Sequence, residues 1–297
     1  MFRFTACSAA IALILCCSES VSSGAAFAAS LQLVVFEGAS QPLGSLQQRL
    51  ARERGEISKD VPGDRLQGFL AKPPGNGPFP AIIGLHGCSG LREAVARSAA
   101  DRFVSWGYVA LMVDSFTTRG IDHACTPEKY AAQANSVAKR TFDAYGALLF
   151  LARQSFVDPR HVAVVGNSQG GMVTLSVAEA RTFEFFINPS NLAFRAAVAL
   201  YPPCLGAGAR PGIPTLILIG ELDDWTPAKD CARLIARWGG SHPPVELVTY
   251  PGAYHGFDSP SLQPGRKSFD HWLEYNADAA EDANRRIRDF LTHQLGR

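Results

Sequence analysis

One serine stands in a sequence pattern that makes it a candidate nucleophile. Residues 162–165 are apolar, Gly166 follows them, and Ser168 and Gly170 occupy the next two alternate positions. This G-x-S-x-G sequence joins a predicted strand to a predicted helix, which is the context of a nucleophile elbow. Small residues on either side of the serine let strand and helix pack closely, so that a strained turn projects the hydroxyl from the sheet. The alternative is an ordinary glycine-rich turn with a helix-capping serine.

A base and an acid for this serine can be chosen from their places in the chain. A serine hydroxyl needs a histidine to take its proton, and the histidine needs a carboxylate that orients it. Asp223 and His255 each follow a predicted strand, and they come after Ser168 in the order that an elbow of this type requires. Asp224 is the alternative acid, which we expect to cap the following turn instead.

Acyl transfer also needs hydrogen-bond donors for the oxyanion of the tetrahedral intermediate. The backbone N–H of Gln169, directly after the serine, is the first candidate. The loop 86–90 follows an earlier apolar strand, and the Cys88 N–H in this loop is the second candidate. Together these residues predict acyl transfer by an activated serine.

Alternating strands and helices must bring these residues to one place. Continuous apolar strands are typical of a parallel sheet covered on both faces, and sites in such sheets lie beyond the carboxyl ends of the strands. We therefore predict an α/β fold with one doubly wound, mostly parallel sheet and helices on both faces. The predicted strands are residues 31–36, 53–58, 65–71, 81–85, 108–113, 162–165, 196–201, 215–219 and 245–250. The predicted helices are residues 92–106, 128–153, 171–181, 228–238 and 276–294.

The N-terminus, residues 1–28, is predicted to be a cleaved secretory signal. Arg3 precedes an apolar stretch, residues 6–17, that is too short to span a bilayer, and alanines at positions 26 and 28 suit a signal peptidase. An uncleaved anchor and a lipoprotein are the alternatives. Residues 29–52 are then an N-terminal extension, and residues 53–297 form a single α/β domain. We expect a periplasmic or secreted protein without stable membrane insertion after cleavage.

Composition and cysteine content agree with an exported globular protein. The chain is 47% hydrophobic and 19% charged, and its net charge of +1 gives no indication of a nucleic-acid partner. Cys88, Cys125, Cys204 and Cys231 remain after cleavage and allow three pairings, and an oxidising compartment favours two disulfides. Their spacing fits no zinc motif, so no metal is expected. The oligomeric state stays open.

The sequence resembles the dienelactone hydrolase family, within the α/β-hydrolase superfamily, from about residue 55 to 295. The motifs that carry the resemblance are residues 86–90, 114–116, 166–171, 220–227 and 250–258. The resemblance implies the α/β-hydrolase fold, a triad of Ser168, Asp223 and His255, and no cofactor. The namesake enzymes of the family use a cysteine nucleophile on a muconolactone-type substrate. Because this chain has a serine there, the dienelactone substrate is not carried over.

The expected function is hydrolysis of a small carboxylic ester or lactone. A peptidase, a polyester hydrolase or an acyltransferase on the same triad are alternatives, and a non-catalytic binding protein is a further one.

Candidates for the substrate pocket are His86, Arg119, Trp225 and Tyr254. Arg119 can bind a substrate carboxylate or form a structural ion pair, and the phenylalanines at 183, 185 and 186 can form an apolar rim. We expect the disulfides Cys88–Cys125 and Cys204–Cys231, because the members of each pair lie on loops at the same edge of the sheet.

Overall fold

The computed structural model describes residues 1–2, 30–57, 59–132, 136–179, 188–240 and 243–296. The strands in these ranges are β1 Gln32–Glu37, β2 Arg65–Ala71, β3 Phe79–Leu85, β4 Val109–Asp114, β5 Val157–Asn167, β6 Ala196–Leu200, β7 Thr215–Gly220, β8 Val245–Tyr250, β9 Arg266–Ser268 and β10 His271–Leu273. The α-helices are α1 Ser45–Glu53, α2 Glu93–Ser105, α3 Pro127–Ala132, α4 Ser136–Leu151, α5 Gln169–Ala178, α6 Ala228–Trp238 and α7 Ala277–Leu295.

Eight of the described strands form one mixed sheet in the order β1-β2-β4-β3-β5-β6-β7-β8. The strands from β4 to β8 in this order pair in parallel, whereas β2 pairs antiparallel with both β1 and β4. Every residue of β4, β6 and β7 is buried, as the continuous apolar runs indicate. The predicted mostly parallel sheet is therefore confirmed.

Helices cover both faces of this sheet. Apolar side chains of α2, α6 and α7 pack against one face, and those of α4 and α5 pack mainly against the other. Successive strand residues point to opposite faces of the sheet. Ile82 packs on the face covered by α2, α6 and α7, and Ile83 packs on the face covered mainly by α4 and α5. The prediction of helices on both faces is also confirmed. No helix in the described ranges has the length and apolar character needed to cross a membrane.

Some predicted elements differ from the structure. The strand predicted at residues 53–58 is wrong, because Glu53 ends α1 and Gly55, at φ 69°, takes the left-handed conformation that terminates helices. The long helix predicted at residues 128–153 is described as two helices, α3 and α4, with residues 133–135 outside the described part. The short hairpin β9–β10 was not predicted.

The N-terminal boundary also needs a correction. Strand β1 lies within residues 29–52, which we expected to form an extension, yet it pairs with β2 along its whole length as the edge strand of the sheet. A boundary at residue 53 therefore does not separate this segment from the domain. Most of the predicted signal, residues 3–28, lies outside the described residues, as does residue 29.

The turn from β5 into α5 depends on close backbone contacts. A Cβ atom on Gly166 would lie 2.2 Å from the carbonyl oxygen of Gly170, and one on Gly170 would lie 2.2 Å from that of Leu85. Both distances are far below van der Waals contact, so only glycine fits at either position. Helix α5 therefore starts against the end of β3, and Ser168 lies at the turn from β5 into α5.

We expect Gly170→Ala to lower the free energy of unfolding by about 3 kcal/mol, because its methyl group has no space against the β3 backbone. Gly171→Ala is the matched control in the same helical turn. Its free energy of unfolding should fall by less than about 1 kcal/mol. A Cβ at position 171 would lie 3.1 Å from its nearest neighbours, and alanine has a higher helix propensity than glycine. Urea unfolding of both variants measures the difference, and equal losses would contradict this packing argument.

Candidate active site

Ser168, His255 and Asp223 form a continuous hydrogen-bonded series at the carboxyl edge of the sheet. The Oγ of Ser168 lies 3.0 Å from Nε2 of His255, and Nδ1 of His255 lies 2.8 Å from Oδ2 of Asp223. Ser168 has φ 54° and ψ −123°, which is a strained conformation for a residue with a side chain. Asp223 and His255 are both buried, following β7 and β8. In this geometry Ser168 can act as a nucleophile, with His255 as its base and Asp223 as the acid that orients the imidazole.

The structure distinguishes the two neighbouring aspartates. Oδ1 of Asp223 accepts hydrogen bonds from the backbone N–H groups of Trp225, at 3.0 Å, and Thr226, at 2.7 Å. The Thr226 hydroxyl lies 2.8 Å from Oδ2 of Asp223, the oxygen that faces His255. Asp224 points elsewhere, and its Oδ1 accepts a hydrogen bond from the Trp272 backbone N–H at 3.3 Å. Only Asp223 of the two is placed to orient the imidazole.

Thr226 was not identified from the sequence. Its hydroxyl lies 3.1 Å from the carbonyl oxygen of Tyr201 and 3.2 Å from Nδ1 of His255, in addition to its contact with Asp223. The available signal was its position three residues after Asp223, where a backbone N–H and a hydroxyl can both reach a carboxylate in a turn. Thr226 therefore fixes the rotamer of Asp223.

The two segments that carry the predicted oxyanion donors lie side by side. Gln169 is the first residue of α5, where backbone N–H groups have no partner within the helix. The loop that carries Cys88 passes the serine, since a Cβ on Gly87 would lie 3.3 Å from the Cβ of Ser168. Both segments thus border Ser168, where their backbone N–H groups are candidates to donate to an oxyanion.

Arg140 of α4 connects these two segments from inside the protein, and sequence reasoning missed it. Its Nη1 donates to Oε1 of Gln169 at 2.8 Å, and its Nη2 donates to the carbonyl oxygen of His86 at 2.5 Å. The guanidinium lies 5.2 Å from the ring centroid of Phe116 and is almost completely buried. Burial lowers the pKa of Arg140 to about 10, so it remains a cation at neutral pH. The site therefore has a fixed positive charge behind it.

We expect from the sequence that His86 lines the substrate pocket, but its side chain instead supports the loop 86–90. Its Nε2 accepts a hydrogen bond from the Ser115 backbone N–H at 3.2 Å, which requires that nitrogen to be unprotonated. Its Nδ1 lies 2.7 Å from the carbonyl oxygen of Gly87 and is the donor. Burial, aided by the nearby charge of Arg140, lowers the pKa of His86 to about 3. The imidazole is therefore neutral, with both nitrogens bound to the backbone.

Arg119 forms a structural ion pair, which was the alternative to binding a substrate carboxylate. Its two terminal nitrogens lie 2.7 Å from the two carboxylate oxygens of Asp143, and its Nε lies 2.8 Å from Oδ2 of Asp64. The same guanidinium also donates to the carbonyl oxygen of Ser115. These partners occupy the guanidinium, so the structure does not support the pocket interpretation of Arg119.

The two aromatic pocket candidates lie in different surroundings. The ring of Trp225 is 5.0 Å from the imidazole of His255 and stacks on His271 at 4.8 Å. Tyr254 instead makes an edge contact with Trp272 at 6.4 Å. Trp225 thus borders the candidate base. The phenylalanines at 183, 185 and 186 lie outside the described residues.

Both expected disulfides are present. The S–S distances are 2.05 Å for Cys88–Cys125 and 2.00 Å for Cys204–Cys231. Two disulfides suggest an extracellular or periplasmic environment. Within the described ranges, no group of three or more His, Cys, Asp or Glu side chains is arranged to hold a metal ion.

The model of the dienelactone hydrolase family matches residues 66–295. The chain belongs to the dienelactone hydrolase family. An uncharacterized protein of Mycobacterium tuberculosis is 28% identical over 253 residues, covering 80% of this chain and 84% of that protein. As members of this family are hydrolases, a small-molecule substrate is implied.

Two solved structures show the same fold. A dienelactone hydrolase-like promiscuous phosphotriesterase from metagenomic libraries has a TM-score of 0.61 at 18% identity, covering 89% of this chain and 99% of that one. A propionate-bound esterase of Thermogutta terrifontis has a TM-score of 0.57 at 18% identity, covering 78% of this chain and 90% of that one. Both similarities extend over most of the dienelactone hydrolase domain.

The neutral state of His86 predicts an acid-sensitive fold. Because its folded pKa, about 3, lies below its usual value of 6.5, the unfolded chain binds the extra proton between these pH values and stability falls as pH falls. From pH 7.5 to pH 5 this loss should be about 2 kcal/mol.

Urea unfolding of the wild type and of His86→Gln across this range measures the effect, since glutamine can keep both hydrogen bonds without titrating. The stability of the variant should fall less steeply. Between pH 7.5 and 8.5 the two curves should run parallel, and equal slopes below pH 6.5 would contradict the assignment.

Proposed function

We propose that this protein is an exported serine hydrolase of small carboxylic esters or lactones. The observation that carries the proposal is the hydrogen-bonded series from Ser168 through His255 to Asp223. The strained serine at the start of a helix, followed in the chain by the acid and then the histidine, is the order used by α/β hydrolases. Membership of a hydrolase family supports the same reaction class.

The first half of the reaction forms an acyl-enzyme. Ser168 Oγ attacks the ester carbonyl carbon while His255 Nε2 takes the hydroxyl proton, and Asp223 stabilises the imidazolium through Nδ1. The carbonyl oxygen becomes an oxyanion that accepts hydrogen bonds from the backbone N–H groups of Cys88 and Gln169. The tetrahedral intermediate then collapses, the ester C–O bond breaks, and the leaving alcohol takes its proton from His255.

The second half releases the acid. Water gives a proton to His255 and attacks the acyl carbon. As the new tetrahedral intermediate collapses, the bond between the acyl carbon and Ser168 Oγ breaks, and His255 gives that proton to Ser168 Oγ. The products are a carboxylic acid and an alcohol, or a hydroxy acid from a lactone. All steps use side chains and backbone groups of this chain, with no requirement for a metal or cofactor.

The fixed cation of Arg140 supports this reaction from behind the site. Its two hydrogen bonds tie the side chain of Gln169 to the backbone of His86, two residues before Cys88. The spacing between the two oxyanion donors is thereby held before the substrate arrives. A positive charge held near a developing oxyanion also lowers the energy of the tetrahedral intermediate.

Export is proposed from two independent features. The N-terminal segment has the charge, apolar length and small residues of a secretory signal. The two disulfides persist in an oxidising compartment and are uncommon in the reducing cytosol. We therefore place the mature enzyme in the periplasm or outside the cell.

Labelling by a fluorophosphonate tests the nucleophile. The wild type should be labelled and should hydrolyse nitrophenyl esters, whereas Ser168→Ala should lose both properties because no hydroxyl remains to attack. Ser105→Ala, which removes an exposed serine hydroxyl on α2, is the matched control and should be labelled like the wild type. Unchanged labelling of Ser168→Ala, detected by mass spectrometry, would show that Ser168 is not the nucleophile.

The two neighbouring aspartates provide a second test. Asp223→Asn should lower kcat by about 10³- to 10⁴-fold, because an amide no longer holds the imidazole in the required tautomer or stabilises its charged form. Asp224→Asn makes the same chemical change one residue away, and its kcat should fall by less than about tenfold. Steady-state kinetics on a short nitrophenyl ester measures both, and similar losses would exclude Asp223 as the acid.

A further inference from the structure

The hairpin β9–β10 holds an aromatic side chain where its turn does not favour one. Ser268 pairs with His271, so Phe269 and Asp270 form a two-residue turn with φ values of 50° and 66°. Turns with both central residues in the left-handed region favour asparagine, aspartate and glycine, and a bulky aromatic residue is strained there. Phe269 is also 41% exposed. Neither turn preference nor burial therefore explains this phenylalanine.

The hairpin is fixed to the loops that carry the acid and the base. The backbone N–H of Trp272 in β10 donates to Oδ1 of Asp224 at 3.3 Å. Leu273, the last residue of β10, forms a parallel bridge with His255 itself. The position of Phe269 is thus set relative to the Ser168–His255–Asp223 series.

Phe269 belongs to a series of rings that begins at the candidate base. Trp225 lies 5.0 Å from His255, and Phe269 lies 5.9 Å from Trp225, while His271 stacks on the Trp225 ring at 4.8 Å. On its other side, the Phe269 ring lies 5.4 Å from the ring of His123. We call these four side chains, His123, Phe269, Trp225 and His271, the aromatic wall.

The far end of the aromatic wall reaches the oxyanion side of the site. The backbone N–H of Cys125 donates to Nδ1 of His123 at 3.3 Å, and Cys125 is bonded to Cys88. The backbone N–H of Ala124 also donates to the carbonyl oxygen of Cys88 at 2.7 Å. The aromatic wall therefore extends from His255 to the segment attached to the Cys88 loop.

We propose that the aromatic wall is a subsite for a planar aromatic group in the alcohol part of the ester. The proposal rests on the proposed function and names its substrate class. The alcohol part is chosen because Trp225 borders His255, and His255 must give its proton to the leaving oxygen. A partly exposed ring such as Phe269 gains contact area and ring–ring attraction when a second ring covers it.

A matched pair of esters tests the subsite. Benzyl acetate and cyclohexylmethyl acetate have the same acyl group and similar alcohols, and only the first has an aromatic ring. The kcat/KM of the wild type should favour benzyl acetate by about 2- to 10-fold, the size expected for ring–ring contacts. Phe269→Asn, which suits the left-handed turn, should reduce this ratio toward one, and Phe269→Tyr should keep it.

The control variant is Leu50→Asn, which replaces a side chain of similar exposure, 40%, on α1. It should keep the wild-type preference. A wild-type ratio near one, or an unchanged ratio in Phe269→Asn, would overturn the proposal. So would a preference found only in the acyl part, measured with methyl phenylacetate against methyl cyclohexylacetate.

Binding to an inactive variant separates this proposal from the proposed function. Ligand-observed NMR should show that Ser168→Ala binds benzyl alcohol more tightly than cyclohexylmethanol, and that adding Phe269→Asn removes the difference. Equal binding of the two alcohols overturns the subsite even if ester hydrolysis is established. Conversely, unchanged fluorophosphonate labelling of Ser168→Ala overturns the serine mechanism while the binding preference still supports the subsite.

Discussion

The close contact between α5 and the end of β3 is the constraint on which the site depends. Gly170 lies so near the carbonyl oxygens of Leu85 and His86 that no Cβ fits between them. This contact brings the first turn of α5 beside the loop that leaves β3. Ser168 and Gln169 therefore lie beside the loop that carries Cys88, although this loop is distant from them in the sequence. The hydrogen bond between Ser168 and His255 depends on this packing of α5 against β3.

The buried guanidinium of Arg140 adds a positive charge behind the site, and the neutral state of His86 is consistent with that charge. Arg140 bridges Gln169 and the backbone of His86, so its cation lies between the two donor segments. Beside this cation a protonated His86 would add a second buried charge and would place two donors face to face at the Ser115 N–H. Burial is the main cause of the low pKa of His86, and the charge of Arg140, which also holds the loop 86–90, lowers this pKa further.

Strands and catalytic candidates were predictable because each has a local signature. Strand β7 is buried throughout, and its apolar run led directly to the aspartate at its end. What could not be predicted arises from contacts distant in sequence. Arg140 lies 29 residues before Gln169 and 54 after His86, and nothing in α4 indicates either partner. Strands β9 and β10 have only three residues each, too few to show an alternating pattern, so the hairpin and Phe269 were missed as well.

The Asp223–Asp224 pair links the reaction to the proposed choice of substrate. The first carboxylate faces the imidazole of His255, and the second accepts a hydrogen bond from the hairpin that carries Phe269. Because the two residues share one turn, a shift of the hairpin also displaces the loop that holds the acid. A side-chain substitution at Phe269 changes the ring contacts of the aromatic wall, whereas deletions in β9 or β10 also remove the bridge between Leu273 and His255. We therefore expect side-chain changes at the hairpin tip to alter the proposed subsite while the Ser168–His255–Asp223 geometry is kept.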